Sequence, residues 1–403
     1  MKSKFSVLMK KYPENSSWSW RDELKEKYPD IFITEEESSP YVLFRYSIGC
    51  DFNDPLVQEA RGIILDKNTG EVACWPFRKF GKFYEPYADK IDWESATVLE
   101  KLDGSIIKLW FDKYKEKFVF STNGVIYAEN AYVTSDKDTT FMELIERAAN
   151  YDDLLAIINA ENVLDKNKTY IFELVGADNK VVINYDKPLL YHIGTRNNIT
   201  GEESDDDIGI IKPTKYNVST LDECIELANS MSEDENGVTT NCAVEGFVVV
   251  DKNWNRIKVK SSIYQILHNI VAGSEVSRYN LIKMLYDNTI DVYSVSRNFP
   301  ELAVFIKYYD YQVSEYIHEA NRIINVTRKL YEDSNHDRKT VANLIKDHPY
   351  SNIAFNAIDN IDTLDEILDR RKEGKYLYLT RKIIEPYSPM PLNMVKEYYS
   401  KNE

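Results

Sequence analysis

Between about Tyr41 and Lys260 the chain alternates short runs of β-branched and aromatic residues with polar turns. Gly62-Ile63-Ile64-Leu65, Ile106-Ile107-Lys108-Leu109-Trp110-Phe111, Phe118-Val119-Phe120, Tyr170-Ile171-Phe172, Val181-Val182-Ile183 and Phe247-Val248-Val249-Val250 each predict a strand. Helical patches over Phe141–Ile158 and Leu221–Met231 interrupt them, so the pattern describes a mixed, largely antiparallel α+β domain. Residues up to about Asp30 read as a short amphipathic helix followed by loop. After Ser261 the period changes: Leu302, Phe305, Ile306, Tyr309, Val313, Tyr316, Ile317, Ala320, Ile324 and Leu330 recur by threes and fours. That spacing predicts an all-helical domain over 261–403, with the stripe as bundle core rather than a surface for stacking bases.

A length of 403 residues suits two or three domains, and 43% hydrophobic with 29% charged residues is a globular composition. The formal net charge is −16, which taken alone argues against a polyanion partner. Its distribution weakens that objection, because Glu202–Glu235 holds eleven acids against Lys212 and Lys215. Such a run reads as a solvated loop or insertion surface, and it leaves the sign of any cleft open. Cys50, Cys74, Cys224 and Cys242 form no CxxC pair, so neither a zinc ribbon nor a disulfide framework is suggested. The N-terminal residues lack a signal-peptide core, and no run approaches the roughly 18 apolar residues of a membrane span. A soluble, cytoplasmic protein without membrane partners is the expectation.

The common phosphate-cradling loops are missing: Gly81-Lys82 is followed by Phe83, and there is no GxGxxG or GxSxG. A nucleotide enzyme built from this chain must hold phosphates with side-chain cations. Glu100-Lys101-Leu102-Asp103-Gly104-Ser105 puts a lysine at a strand-to-turn junction, where it can face a pocket. An ordinary lysine titrates near 10.4, so a nucleophilic one needs neighbouring cations or desolvation. Lys258 and Lys260 alternate on a predicted strand and point to one face. Singly these features are weak. The chain also carries Phe172-Glu173-Leu174-Val175-Gly176 and Val244-Glu245-Gly246-Phe247-Val248, in the order KxDG, Glu-bearing strand, EGxV, KxK.

That ordered set resembles the lysine-adenylating ligases and capping enzymes. Its flanks, Phe44-Arg45-Tyr46, Glu59-Ala60-Arg61-Gly62 to Asp66, Pro76-Phe77-Arg78-Lys79-Phe80, then Ser261, Tyr264, Leu267 and His268, and Asp337 to Thr340, look like the phage RNA ligase 1 family. The resemblance implies a nucleotidyltransferase (adenylation) domain over 1–260 and an ATP-dependent RNA ligase activity. It implies Lys101 as the nucleophile that takes AMP from ATP, with Lys258 and Lys260 neutralising the α-phosphate and lowering the Lys101 pKa. Arg61 and Lys79 would hold phosphates, Tyr46 would line the nucleotide site, and Gly104 would allow close backbone approach to it. Glu173 would bind the ribose. Glu245 would bind a divalent ion, Mg2+ by preference, and Asp291 is either a second metal contact or plain surface charge. Tyr264 packs on the nucleotide or RNA, or in the core. Two departures stand out: Asn123 where the family tends to carry lysine, and Gly81 where a ring is expected, with Phe83 as a substitute.

The substrate implied is single-stranded RNA ends, 5′-phosphate and 3′-hydroxyl, as in tRNA broken in its anticodon loop, joined by a monomer in a phage-infected cell. DNA ligases and mRNA guanylyltransferases share the core motifs but append an OB-type barrel after KxK, and a dead nucleotide- or RNA-binding relative would lack the lysine chemistry. With acid in excess overall, nonspecific RNA affinity should be weak and fall steeply with salt in a filter-binding titration; tight, salt-insensitive binding would contradict this reading.

Overall fold

The computed structural model describes residues 2–12, 16–37, 39–47, 49–133, 136–231, 244–272, 275–287, 300–359, 363–372, 374–383 and 390–391. Those up to Gln265 form one compact unit and those from Ile266 another, the change falling inside a helix.

In the first unit, period-two strands assemble three principal antiparallel sheets. Strands β1 (Ile31–Glu35), β2 (Tyr41–Tyr46), β3 (Arg61–Asp66) and β4 (Val72–Cys74) lie in that order. Helices α1 (Lys4–Met9), α2 (Trp20–Lys27) and α3 (Pro55–Glu59) pack on them, burying Phe5, Leu24, Phe44 and Val57. The N-terminal region is therefore two helices and a strand, more ordered than its sequence suggests. Glu59 accounts for part of this: buried at the end of α3, it accepts from Ser3 Oγ at 3.1 Å and Phe5 N at 3.0 Å, pinning the first helix.

The next strands are β5 (Thr97–Glu100), β6 (Ser105–Asp112) and β7 (Lys117–Thr122), with a small hairpin of β8 (Tyr132–Val133) and β9 (Asp136–Thr140). Then come α4 (Phe141–Glu146) and α5 (Tyr151–Asn159), which split the expected helical patch in two, followed by β10 (Lys168–Val175), β11 (Leu189–Asn197), β12 (Glu203–Ser204), β13 (Lys215–Tyr216) and α6 (Leu221–Ser230). Strands β14 (Gly246–Val250) and β15 (Arg256–Lys260) close the set, before α7 (Ser262–Ile270).

The five-stranded sheet runs β12-β11-β10-β6-β7, and the four-stranded one runs β13-β5-β14-β15. Along β10, Tyr170, Phe172 and Leu174 face a core with α4 and α5, so Ile171 and Glu173 must face the other way. Along β14 and β15, Phe247, Val249, Ile257 and Val259 pack with Cys224 and Ala228 of α6. Val248, Val250, Arg256, Lys258 and Lys260 are thereby turned to the opposite face. The expected strand Val181-Val182-Ile183 does not form: the segment is irregular, and Asp103 takes its backbone amides instead.

The second unit is mainly helical. A helix over Pro300–Asp333 carries the expected stripe as buried core, including Phe305, Ile306, Tyr309, Val313, Tyr316 and Ala320. It is not wholly helical, since two-residue strands Val271–Ala272, Glu275–Val276 and Met390–Pro391 pair in a small sheet. Asp291 lies outside the described residues. Among the described residues no helix is long and apolar enough to cross a membrane.

Gly246 opens β14 opposite Lys260 of β15 with φ +134°, and a Cβ there would sit 2.1 Å from the Val259 carbonyl. Gly246→Ala should lower stability in urea unfolding by roughly 2 kcal/mol or more, and an unchanged midpoint would contradict the close backbone approach.

Candidate active site

A cavity of about 440 Å³ opens where the polar faces of the two larger sheets meet. Its wall includes Arg61 from β3, Leu99 from β5, Lys101, Gly104 and Ile106 around the β5–β6 turn, Glu173 from β10, Val248 from β14, and Lys258 from β15. Chain positions up to 197 residues apart are thus one surface, because the strand residues among them face away from the cores their neighbours enter and the β5–β6 turn brings in Lys101 and Gly104.

Charge is what distinguishes this wall. Lys101 Nζ lies 2.8 Å from one oxygen of buried Glu245, and Lys260 Nζ lies 2.7 Å from the other. Burial alone would raise Glu245, but Lys101 and Lys260 outweigh it and hold the carboxyl below its ordinary range. For Lys101, burial pulls the pKa down while Glu245, then Glu173, pull it up more strongly, and the net position is above an ordinary lysine. The expectation of a depressed Lys101 is therefore corrected: carboxylates, not cations, are its nearest charges. The depressed lysine is Lys258, lowered to about 6 by burial and then by Arg61, Lys79, Lys101 and Lys260. Its ammonium sits over the Phe80 ring at 4.6 Å, and the Arg61 guanidinium lies 5.3 Å from the same ring. Lys79 is lowered by burial and by Arg61, and Lys260 by burial against the opposing pull of Glu245. Glu173 is raised to about 7, chiefly by burial, with Lys101 opposing and Glu245 reinforcing.

Backbone contacts hold these side chains in place. Lys101 N donates to Gly246 O at 2.9 Å, tying the lysine loop to β14. Asp103 is a buried hub: one oxygen accepts from Val182 N and Ile183 N, both at 2.7 Å, and the other from Tyr264 Oη at 2.7 Å. Gly104 is required by protein packing, since a Cβ there would lie 2.2 Å from the Leu174 carbonyl; the tight approach is to β10. The segment bearing Lys79 has no regular structure and is pinned from several sides. Lys79 N donates to Gln58 O, Arg78 grips Asp89 through both oxygens at 2.7 Å, and Lys258 N donates to Gly81 O.

Five of the expected residues, Arg61, Lys101, Gly104, Glu173 and Lys258, line the cavity. Glu245 and Lys260 lie behind Lys101 as its ion-pair partners. Tyr46 does not line the cavity: it meets the Phe52 ring edge-on at 5.0 Å, and Lys79 lies over both rings. Tyr264 does not line it either, being buried with its hydroxyl on Asp103 and its ring beneath the Lys260 ammonium at 4.7 Å. Phe83 does not stand in for a ring at Gly81, because it packs into the core behind β5 and β14.

Two contributors escaped sequence reasoning. Phe80 lies against both Arg61 and Lys258; sequence marks the flank Pro76 to Phe80, but nothing there gives its ring a role. Lys108, fully buried on β6 and lowered to about 8 by burial, donates to the carbonyl of Gly62, next to Arg61. Its place inside an apolar run was the available signal, since a lysine there must find a partner.

A family model for RNA ligase matches residues 59–264, and the chain belongs to that family. It is 33% identical over 242 residues to a protein of Autographa californica nuclear polyhedrosis virus whose name pairs a polynucleotide kinase with an RNA ligase, covering 56% of this chain and 33% of that one. It is 24% identical over 326 residues to an RNA ligase of Rhodothermus phage RM378, covering 66% of this chain and 72% of that one. The chain thus spans a third of the first relative's length and most of the other's. Among solved structures, an archaeal ATP-dependent RNA ligase aligns over 100% of this chain and 98% of its own at 12% identity, with a TM-score of 0.43.

Because Lys258 is lowered when folded, the unfolded chain binds a proton that the fold releases between about pH 6 and the ordinary lysine value near 10.4. Stability should rise with pH across that window. Lys258→Met should be more stable than the parent near pH 6.5 by ~1 kcal/mol or more, and the gap should close toward pH 10; a pH-independent difference in urea titrations would exclude the burial explanation.

Proposed function

We propose that the chain is an ATP-dependent RNA ligase that seals a 5′-phosphate to a 3′-hydroxyl of single-stranded RNA through a Lys101–AMP intermediate. The observation that carries this is Lys101 on a cavity wall shared with Arg61 and Lys258, its amine held by Glu245. The Lys101 amine attacks the α-phosphorus, the bond to the β-phosphate oxygen breaks, and pyrophosphate leaves. The RNA 5′-phosphate oxygen next attacks the phosphoramidate, freeing Lys101 and forming a 5′–5′ pyrophosphate linkage. The 3′-hydroxyl finally attacks the RNA phosphorus and expels AMP.

The side chains divide these tasks by charge. Lys258 and Arg61 face developing negative charge on the phosphates, and their low-dielectric setting over Phe80 strengthens the attraction. A bound phosphate also supplies the anion Lys258 lacks, restoring its proton. Lys101 must shed its own proton before attack, and Glu245 holds the amine meanwhile.

Glu173, on the cavity wall, is placed to meet a magnesium ion shared with substrate phosphates, since Mg2+ takes one or two carboxylates and fills its shell with phosphate and water. Glu245 would join it only by giving up an ion pair to Lys101 or Lys260. An ion brought in on the nucleotide needs no more than one or two such protein carboxylates. Such an ion supplies charge neutralisation on the phosphates.

The finer assignments, repair of tRNA cut in its anticodon loop by a monomer in the cytoplasm of a phage-infected cell, rest on the likeness to phage ligases. The DNA ligase and guanylyltransferase readings are disfavoured because Ser262–Ile270, directly after Lys260, is a helix rather than the first strand of a barrel. Incubation with α-labelled ATP and magnesium should label the parent protein covalently, while Lys101→Ala should lose at least a hundredfold of the label; equal labelling of both would refute the mechanism.

A further inference from the structure

Just outside the cavity, the chain after Lys79 presents an aromatic ring and a cation that no step above employs. Gly81, Lys82 and Phe83 run beside β15, with Lys258 N donating to Gly81 O at 2.9 Å and Phe83 N donating to Lys258 O at 3.1 Å. Phe83 turns inward, and the next residue, Tyr84, is left 57% exposed. A large exposed ring is ordinarily mobile, but this one is held at both ends. Its edge meets Phe83 at 5.0 Å, and its hydroxyl donates to Gln265 Oε1 at 3.1 Å. Gln265 in turn donates to the carbonyl of Lys260 at 3.3 Å, so the ring is tethered to the end of the lysine-bearing strand.

Lys82 completes the pair. Its ammonium lies 5.4 Å from the centre of the Tyr84 ring, and its charge is felt by both Lys79 and Lys260. The nearby Glu85 is engaged by the backbone N–H of Lys82 and the hydroxyl of Tyr87, and among the described residues the Lys82 ammonium makes no ion pair. Glu85 feels the Lys82 charge without forming an ion pair with it. A preset aromatic face beside a cation whose ammonium is not held in a salt bridge is how proteins hold single-stranded nucleic acid, one base on the ring and its phosphate on the charge. Neither residue lines the nucleotide cavity, so the pair is available while ATP or AMP occupies it.

We propose that Lys82 and Tyr84 form the subsite for the phosphorylated end of the incoming RNA, Tyr84 stacking under the terminal base and Lys82 meeting its phosphate. This rests on the ligase reading above and names where that substrate docks. The test uses the full chain and a 5′-phosphorylated single-stranded oligonucleotide, measuring Lys101 labelling by ATP separately from AMP transfer to RNA. In Tyr84→Leu the labelling rate should stay within twofold of the parent, while KM for the RNA rises about tenfold. Tyr84→Phe, which keeps the ring and drops only the tether, should stay within about threefold of the parent KM. Lys82→Gln should shallow the slope of log affinity for RNA against log salt by about 0.7, the loss of one phosphate contact on a single strand.

An unmoved RNA KM in Tyr84→Leu, or equal damage in Tyr84→Leu and Tyr84→Phe, overturns the stacking role. A parallel fall in ATP labelling assigns the ring to the nucleotide and also overturns it. Failure of the parent protein to take label overturns the ligase reading itself, which is a separate result.

Discussion

The structure around the cavity depends on one buried carboxylate. Glu245 lies between Lys101 and Lys260, and its single negative charge is shared by both. Without it, Arg61, Lys79, Lys101, Lys258 and Lys260 would bring positive charges together at low dielectric with little to offset their repulsion. Its placement makes the cations unequal. Lys101, between Glu245 and Glu173, keeps its proton more tightly than a free lysine, whereas Lys258, backed by Phe80 and facing other cations, holds its proton weakly. An incoming phosphate meets a site already short of negative charge, and that shortage attracts it.

The scaffold for this arrangement is backbone contact more than side-chain packing. Gly104 and Gly246 stand where neighbouring carbonyls leave no room for a Cβ, so the lysine loop is pressed onto β10, and the start of β14, which accepts from Lys101 N, is pressed onto β15. Asp103 then ties the loop to the amides of Val182 and Ile183 and to the first turn of α7. Asp103, two positions after Lys101, is thus a fastener, and it fixes the direction in which Lys101 emerges.

The acidic stretch has a different character in three dimensions than in sequence. Glu203 makes an ion pair with Arg256 and lies within 4.0 Å of Arg196, Asp205 pairs with Lys212 at 2.7 Å, and Asp206 pairs with Lys168 at 2.8 Å. Several of its acids are therefore structural counter-charges, and Asp205 and Lys212 reach the cavity wall. Expecting a purely solvated loop overlooked these partners because Lys168, Arg196 and Arg256 lie outside the stretch. Net charge remains a guide to long-range repulsion and says little about a cleft that concentrates its own cations.

The sequence by itself determined most strands and the helical character of the C-terminal unit, and it singled out Lys101, Glu173, Glu245, Lys258 and Lys260, which the fold brings together, because periodicity and ordered motifs are local and survive without coordinates. Its failures have a common cause. Val181-Val182-Ile183 has the composition of a strand, yet a buried carboxylate 79 residues upstream claims its amides. Tyr264 and Tyr46 are of the type a nucleotide site uses, yet hydrogen bonding and ring packing turn them away from the cavity. The titration of Lys101 and Lys258 could not be read from their spacing, since it follows from which charges lie within a few ångströms after folding. Tertiary structure decided the partners, and at low dielectric the partner sets both the charge a side chain carries and the direction it faces.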